Sequence, residues 1–440
     1  MLMGITRVLV ANRGEIARRV FATRVRLPQT TDYLNAEAII AAAQAAGADA
    51  VHPGYGFLSE NAEFAAAVQE AGLTWVGPPV DAVRAMGSKI ESKKLMAAAG
   101  VPVLEELDPD AVTTAQLPVL VKASAGGGGR GMRVVHELSA LPAEVEAARR
   151  EAQSAFGDPT VFCERYLPTG HHVEVQVMAD THGTVWAVGE RECSIQRRHQ
   201  KIQPQAGVMH TIEVPGVRAQ FDSLGQRTGI RLDSGIVDGS TVSIHYDPML
   251  AKVVSCGATR RQAALVLADA LVRARLHGLR TNRELLVNVL RHPAFLDGAT
   301  DTGFFDTHGM AELSTPLADT ATLRLSAIAA ALADAEHNRA SAGVFSSIPS
   351  GWRNLASGYQ VKTYRDDADT EHRVEYRFTR TGLALPGDPV VQLVSADVDQ
   401  VVLAQDGVAH GFTVARHGPD VYVDSARGPV HLVALSRFPE

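Results

Sequence analysis

The chain has 440 residues, 46% hydrophobic and 21% charged. At about 150 residues per domain this leaves room for roughly three domains, and the globular balance excludes a small scaffold stapled by disulfides or zinc. A net charge of -7, from 42 basic and 49 acidic residues, points to neither nucleic acid nor membrane as a partner, although a local basic pocket for phosphates stays open.

From Arg7, RVLVANRGE reads as a buried strand broken at Asn12 and Gly14, and EIARRVFAT starts a helix with Ile16 and Val20 on one face. The apolar run VLVA is too short for a signal segment, and no stretch approaches the ~20 apolar residues of a membrane span. AEAIIAAAQAAG predicts a helix closing at Gly47, DAVHPG a short strand, SENAEFAAAVQEAG a helix capped by Ser59 and ended by Gly72, and TWVGPP another strand. Strands alternating with helices predict an open parallel sheet.

Between Val101 and Leu167 the strands LPVLVKAS, MRVV and TVFCERYL and the helix LPAEVEAARREAQSAF predict a small α+β lobe resembling a lid. HHVEVQVMAD alternates, with Val173, Val175 and Val177 on one face and His172, Glu174 and Gln176 on the other. Strands around DSGIVDGSTVSIHYDP and a helix through RRQAALVLADALVRARLHG predict a third lobe. A helix through LRLSAIAAALADAEHN then leads into an all-β tail. The cysteines Cys163, Cys193 and Cys256 form no CxxC pair, which reads as a reducing compartment.

The sharpest local feature is VLVKASAGGGGRGMRVV, where Gly126, Gly127, Gly128 and Gly129 follow Lys122 and precede Arg130 and Gly131. Glycines let main-chain N–H groups turn toward an anion, and the two cations suit polyphosphate. The string satisfies GxGxxG, but a dinucleotide fingerprint opens a helix, whereas MRVV predicts a strand. The reading is a hairpin tip over phosphates with Lys122 reaching in. RECSIQRRHQK crowds Arg191, Gln196, Arg197, Arg198, His199 and Lys201 into one stretch, suited either to an anion or to a solvated face. His52 in HPGYGFLSEN reads as packed or hydrogen-bonded more readily than catalytic. Asp233, Asp238, Asp247 and Lys252 read as structural.

Taken in order, ANRGEIA, HPGYGFLSEN, KASAGGGGRGMR, RECSIQRRHQK, YDPMLAK and LRTN resemble the biotin carboxylase component of biotin-dependent carboxylases, an ATP-grasp family, from about Arg7 to Thr307. The tail from Leu313 resembles the β-barrel-with-helix module that joins α and β subunits in acyl-CoA carboxylases, most like the 3-methylcrotonyl-CoA type of leucine catabolism. The resemblance implies an α/β and α+β multidomain fold: an N-terminal domain over 1–93, a lid over 94–166, a C-terminal lobe over 167–310, and a linker helix with a β-barrel-like subunit-joining module over 311–440. It implies ATP-dependent carboxylation of carrier-bound biotin with bicarbonate and Mg2+ or Mn2+. The implied partners are a carboxyltransferase β subunit, a biotin carboxyl carrier domain and further α subunits. The expected location is the cytoplasm, or the mitochondrial matrix if a transit peptide has been removed.

By motif, the resemblance makes Lys89 and Lys122 phosphate contacts, Gly126 to Gly131 with Arg130 the cover, and Glu164, Arg165 and Leu167 the adenine pocket. His172, Gln196 and His199 complete the nucleotide surroundings, Lys201 lies near bicarbonate, and Lys122 and Lys201 are the catalytic candidates. The chain also departs from the family. After HQK it passes straight to QPQAGVMHTIEVPG, omitting the segment that supplies the metal-binding glutamates and the bicarbonate base, so the metal ligands stay unassigned. Near RVFATRVRLP an inner strand and helix are missing, and no AMKM biotinylation motif is present. Such losses are expected to leave backbone unpaired and lysines unbalanced, so the chain reads as segments joined near Thr23/Arg24 and Ile202/Gln203. The alternatives are a non-catalytic scaffold for a β subunit and another ATP-grasp ligase.

Overall fold

In the computed structural model the described residues are 5–18, 27, 30–87, 89–124, 132–156, 158–195, 206–225, 227–243, 249–344, 346–351, 358–380 and 382–436. Both proposed junctions lie outside them. The chain divides into two compact units: Met1–Lys201 with Asp247–Leu250 and Ala299–His308, and Ile202–Tyr246 with Ala251–Gly298 and Gly309–Glu440.

The first unit opens on a parallel sheet of β1 (Val8–Val10), β2 (Ala50–His52) and β3 (Thr74–Trp75), in that order. β1 pairs directly with β2, Val8 opposite Ala50 and Val10 opposite His52, and among the described residues β1 ends the sheet. Helices α1 (Gly14–Arg18), α2 (Ala36–Ala45) and α3 (Ala62–Glu70) accompany the sheet. Ile39, Val51, Phe64, Val68 and Trp75 form a common core, with Phe64 and Trp75 edge to face at 5.6 Å. The cap of α3 is Asn61, whose side chain accepts from the Phe64 N–H at 2.8 Å, and not Ser59. Asn61 sits directly before the first helical turn, where a short polar side chain reaches the third N–H.

Helices α4 (Val80–Gly87) and α5 (Lys89–Ala98) lead into an antiparallel sheet in the order β4 (Glu106–Leu107), β7 (Val161–Arg165), β5 (Val119–Ala123), β6 (Arg133–Val135). Helix α6 (Leu141–Phe156) spans the stretch predicted for it. Val119, Val121 and Cys163 pack against its Val145 and Ala148. Burial there pushes the Cys163 thiol up to about 11, and all three cysteines are free. Next comes the hairpin β8 (Val173–Ala179) and β9 (Val185–Glu192), a sheet of two strands with a bulge between Gln176 and Val177. The extra residue is Val188 of β9, so the alternation predicted for β8 runs through it unbroken.

In the second unit, the strands Gly229–Ser234 and Ala251–Cys256 pair antiparallel beneath α7 (Arg260–Val272). The helix predicted through Gly278 stops at Val272, and Arg275–His277 forms a strand against Thr211–Glu213. Tertiary pairing there overrides a pattern that reads helical in isolation. The helix Thr320–Ala340 is buried along Leu325–Ala335 and is surrounded by an eight-stranded antiparallel sheet running from Gln360–Asp366 to Val430–Ala434. Numbering those eight strands in chain order, neighbours run third, second, first, eighth, seventh, sixth, fifth, fourth. The third and fourth lie next to one another, which nearly closes a barrel. Among the described residues no helix is long and apolar enough to cross a membrane.

Candidate functional site

The antiparallel register of β5 and β7 sets Lys122 opposite Phe162 and Leu120 opposite Glu164, all on the face of the sheet away from α6. Helix α5 approaches that face. Its first residue, Lys89, is anchored by a backbone N–H donating to the Ser124 carbonyl at 3.1 Å and by Nζ donating to the Ala123 carbonyl at 3.2 Å. One turn on, Lys93 forms an ion pair with one oxygen of Glu164, while Lys122 pairs with the other. The Lys93 ammonium also lies over the Phe162 ring, 5.5 Å from its centroid. Lys94 instead turns outward to Glu91 at 2.8 Å.

These groups are partly or fully withdrawn from water, with side-chain exposures of 5% for Glu164, 18% for Lys93 and 23% for Lys122. Burial pushes the Glu164 carboxyl upward, but hydrogen bonds and charge from Lys122 and Lys93 outweigh it and hold Glu164 below its ordinary value. Lys89 is pulled down, first by burial and then by repulsion from Lys122, against the attraction of Glu60 and Glu164. Two ammonium groups thus hold one buried carboxylate, and a third, that of Lys89, lies beside them on the Ala123 carbonyl, within electrostatic reach of Lys122 and Glu164. A separate concavity beside α6, lined by Val112, Leu141, Val145 and Arg149, has no comparable convergence of cations.

Of the residues singled out from sequence, Lys89, Lys122 and Glu164 come together here. Arg165 is exposed at the end of β7, on the opposite face beside Val119, and Leu167 is exposed in the segment that follows. His172 precedes β8, with Nε2 at 3.4 Å from Glu174 and its backbone N–H donating to Ser194 Oγ at 2.8 Å. Gly126, Gly127, Gly128, Gly129, Arg130, Gly131, Gln196, His199 and Lys201 lie outside the described residues. Lys93 was missed by sequence reasoning. Its signal is the spacing of four from Lys89, which stacks two lysines on one helix face.

Other motifs make local structural contacts, and Asp247 lies outside the described residues. His52 Nδ1 accepts from the Gly54 N–H at 3.0 Å, and burial lowers its pKa. Asn12 of the ANRGE string donates to the carbonyls of Pro53 at 3.1 Å and Tyr55 at 2.8 Å, clamping the HPGYG loop. Gly54 adopts φ +67°, and a Cβ there would overlap Asn12. Buried Asp233 takes a bidentate contact from Arg231 and the N–H of Phe221 at 2.9 Å, and Asp238 accepts from the Ile212 N–H at 2.8 Å. Among the described residues no three His, Cys, Asp or Glu side chains gather to hold a metal. The implied magnesium finds no carboxylate set among the described residues.

Family models match consecutive stretches of the chain: the biotin carboxylase N-terminal domain over 22–83, the carbamoyl-phosphate synthase L chain ATP binding domain over 82–209, the biotin carboxylase C-terminal domain over 195–307, and the methylcrotonyl-CoA carboxylase α-subunit BT domain over 323–437. The methylcrotonoyl-CoA carboxylase α subunit of Glycine max is 31% identical, over 69% of this chain and 61% of its own length. The chain thus spans about three fifths of that relative. The biotin carboxylase of Haemophilus influenzae is 30% identical, over 68% of this chain and 98% of its own length. That alignment runs over 439 residues but uses only about 300 of the 440 here, 68% of them. Roughly 140 internal positions of that relative therefore have no counterpart in this chain. Among solved structures, the biotin carboxylase domain dimer of Hydrogenobacter thermophilus 2-oxoglutarate carboxylase, in complex with MgADP, ADP and bicarbonate, is 25% identical with a TM-score of 0.62. It is matched over 71% of this chain and 99% of that one. By sequence and by fold, the chain belongs to the biotin carboxylase family of ATP-grasp proteins and continues into a BT-type barrel.

Proposed function

We propose that the chain binds the triphosphate of ATP on the Lys89–Lys122 face of the lid and uses it to activate bicarbonate for carboxylation of biotin. The gathering of Lys89, Lys93 and Lys122 around buried Glu164 carries this reading. Transfer of the γ-phosphoryl group to a bicarbonate oxygen makes carboxyphosphate and releases ADP. Breakdown of carboxyphosphate releases phosphate and CO2, and the CO2 carbon bonds to N1 of biotin on a carrier domain as the N1 proton passes to the phosphate. Lysines fixed by backbone carbonyls and a carboxylate stabilise the charge that develops between these polyanions, where one preorganised donor is worth ~100-fold or more in rate.

The BT-type module and the methylcrotonoyl-CoA carboxylase relatives support a role as α subunit of an acyl-CoA carboxylase, with a carboxyltransferase β subunit as partner and 3-methylcrotonyl-CoA as acceptor. Assaying the assembly against 3-methylcrotonyl-CoA, propionyl-CoA and acetyl-CoA tests the acceptor. The chemistry is tested on the full chain by ADP release with and without bicarbonate and free biotin. We expect bicarbonate-stimulated release that falls at least ~100-fold in Lys122→Ala.

A second reading is favoured by the internal shortfall against the Haemophilus relative, together with the passage from the ATP-binding model to the C-terminal model within 195–209. In it the chain binds nucleotide and a β subunit without carboxylating. Retained ADP binding with no bicarbonate-dependent release selects this reading.

A further inference from the structure

We propose that Lys93 is a positioning residue of the nucleotide cleft: it keeps Glu164 paired when Lys122 leaves that carboxylate for a phosphate. The proposal rests on the nucleotide reading above. Lys122 and Lys93 hold opposite oxygens of one carboxylate whose side chain is 5% exposed. A buried carboxylate stripped of its only cation is strongly unfavourable, whereas one that keeps a partner is not. Lys122 stands at the end of β5, next to the glycine stretch, and is the residue the family motif directs to phosphate.

Lys93 is placed to stay behind. It sits on α5, which is tied to the end of β5 through both contacts of Lys89. Its ammonium is also held over Phe162, the residue directly across from Lys122. With Lys93 present, Lys122 exchanges one anion for another and Glu164 remains ionised and paired. Without it, Lys122 is pinned to Glu164, and nucleotide binding either leaves the buried carboxylate with no contacting cation, since the nearby Lys89 ammonium is held on the Ala123 carbonyl, or draws a proton onto it. A plain strut between helix and sheet would share the contacts but not the proton linkage.

The test is calorimetric titration of the full-length wild type, Lys93→Met and Lys93→Arg with ADP, in buffers of different ionisation enthalpy. Wild type is expected to bind ADP with no proton uptake at this site. Lys93→Met is expected to bind about tenfold or more weakly, with net proton uptake and recovery of affinity as pH falls. Lys93→Arg should restore both affinity and the absence of uptake. In a Glu164→Gln background, where no charge needs a partner, Lys93→Met should change affinity by less than about twofold. That cycle also serves if Lys93→Met alone folds poorly.

Wild-type affinity without proton uptake in Lys93→Met overturns the proposal and leaves the nucleotide reading standing. So does equal weakening in the Glu164→Gln background. Failure of the wild type to bind ADP overturns both.

Discussion

The hairpin of β8 and β9 and the C-terminal barrel are both antiparallel and both rich in alternating apolar residues, yet their apolar residues meet opposite fates. In the hairpin Val175 is 58% exposed, Val188 63% and Trp186 47%. In the barrel Val401, Leu403, Phe412, Val423 and Leu432 are buried against Ile328 and Leu332 of the central helix. Alternation makes a two-faced ribbon, but only a covering element turns one face into core. The barrel brings its own cover, a helix threaded through an almost closed sheet. The hairpin is a sheet of two strands, and its family relatives have residues that this chain lacks.

The largest effect that sharpens this contrast is expected at Asp334, buried in the central helix and paired with both Lys362 and Arg416. Asp334→Ala strands two cations and should destabilise the barrel by about 3–5 kcal/mol, read as an early transition in urea unfolding. Next is Leu403→Ala, an apolar truncation inside the barrel with an expected loss of about 2–5 kcal/mol. The same measurement on Val188→Ala in the hairpin should move stability by no more than about 0.5 kcal/mol. A loss there comparable to that of Leu403→Ala would mean that the hairpin is covered. Introducing Val175→Lys with Val188→Lys should reduce concentration-dependent association in sedimentation, because charge blunts open strand edges.

The smallest effects are in pH dependence, at histidines of the second unit. Hydrogen bonding to Asp367 raises the pKa of His431, against burial and with help from Asp420. Its stabilisation is complete below the unfolded value of about 6.5 and is lost as pH rises through the raised folded value. His417 is shifted the other way, by burial first and then by electrostatic repulsion from the imidazoles of His210, stacked on it at 4.2 Å, and His277, with Asp420 opposing. Its depressed pKa costs stability only as pH falls below about 6.5. His431→Gln should therefore flatten the alkaline side of the stability profile and His417→Gln the acid side, as read from melting temperature against pH.

Much of the first unit was legible. The helix Leu141–Phe156, the strand nature of MRVV and the arrival of Lys122 from a buried strand follow from periodicity and residue type. The candidate site was half legible: Lys89 and Lys122 announce themselves through motifs, whereas Lys93 sits in a lysine pair on a helix and is marked only by its spacing of four from Lys89. The orientation of α5 against β7 selects Lys93. Two expectations failed for related reasons. The cap moved from Ser59 to Asn61 because it depends on where the helix axis begins. The helix predicted through Gly278 ended early because Arg275–His277 found a strand to pair with.

From residue order alone came the local alphabet: which stretches are helix or strand, where turns break them, and which side chains carry charge. That much follows because steric preference and periodicity act over a few residues. Long-range packing settled the rest: the direct pairing of β1 with β2, the exposure of one apolar ribbon beside the burial of another, and the meeting of Lys93 and Lys122 on Glu164. Burial and charge pairing depend on which surfaces end up opposite one another, and residues 71 or 42 positions apart meet only when the whole lobe has folded.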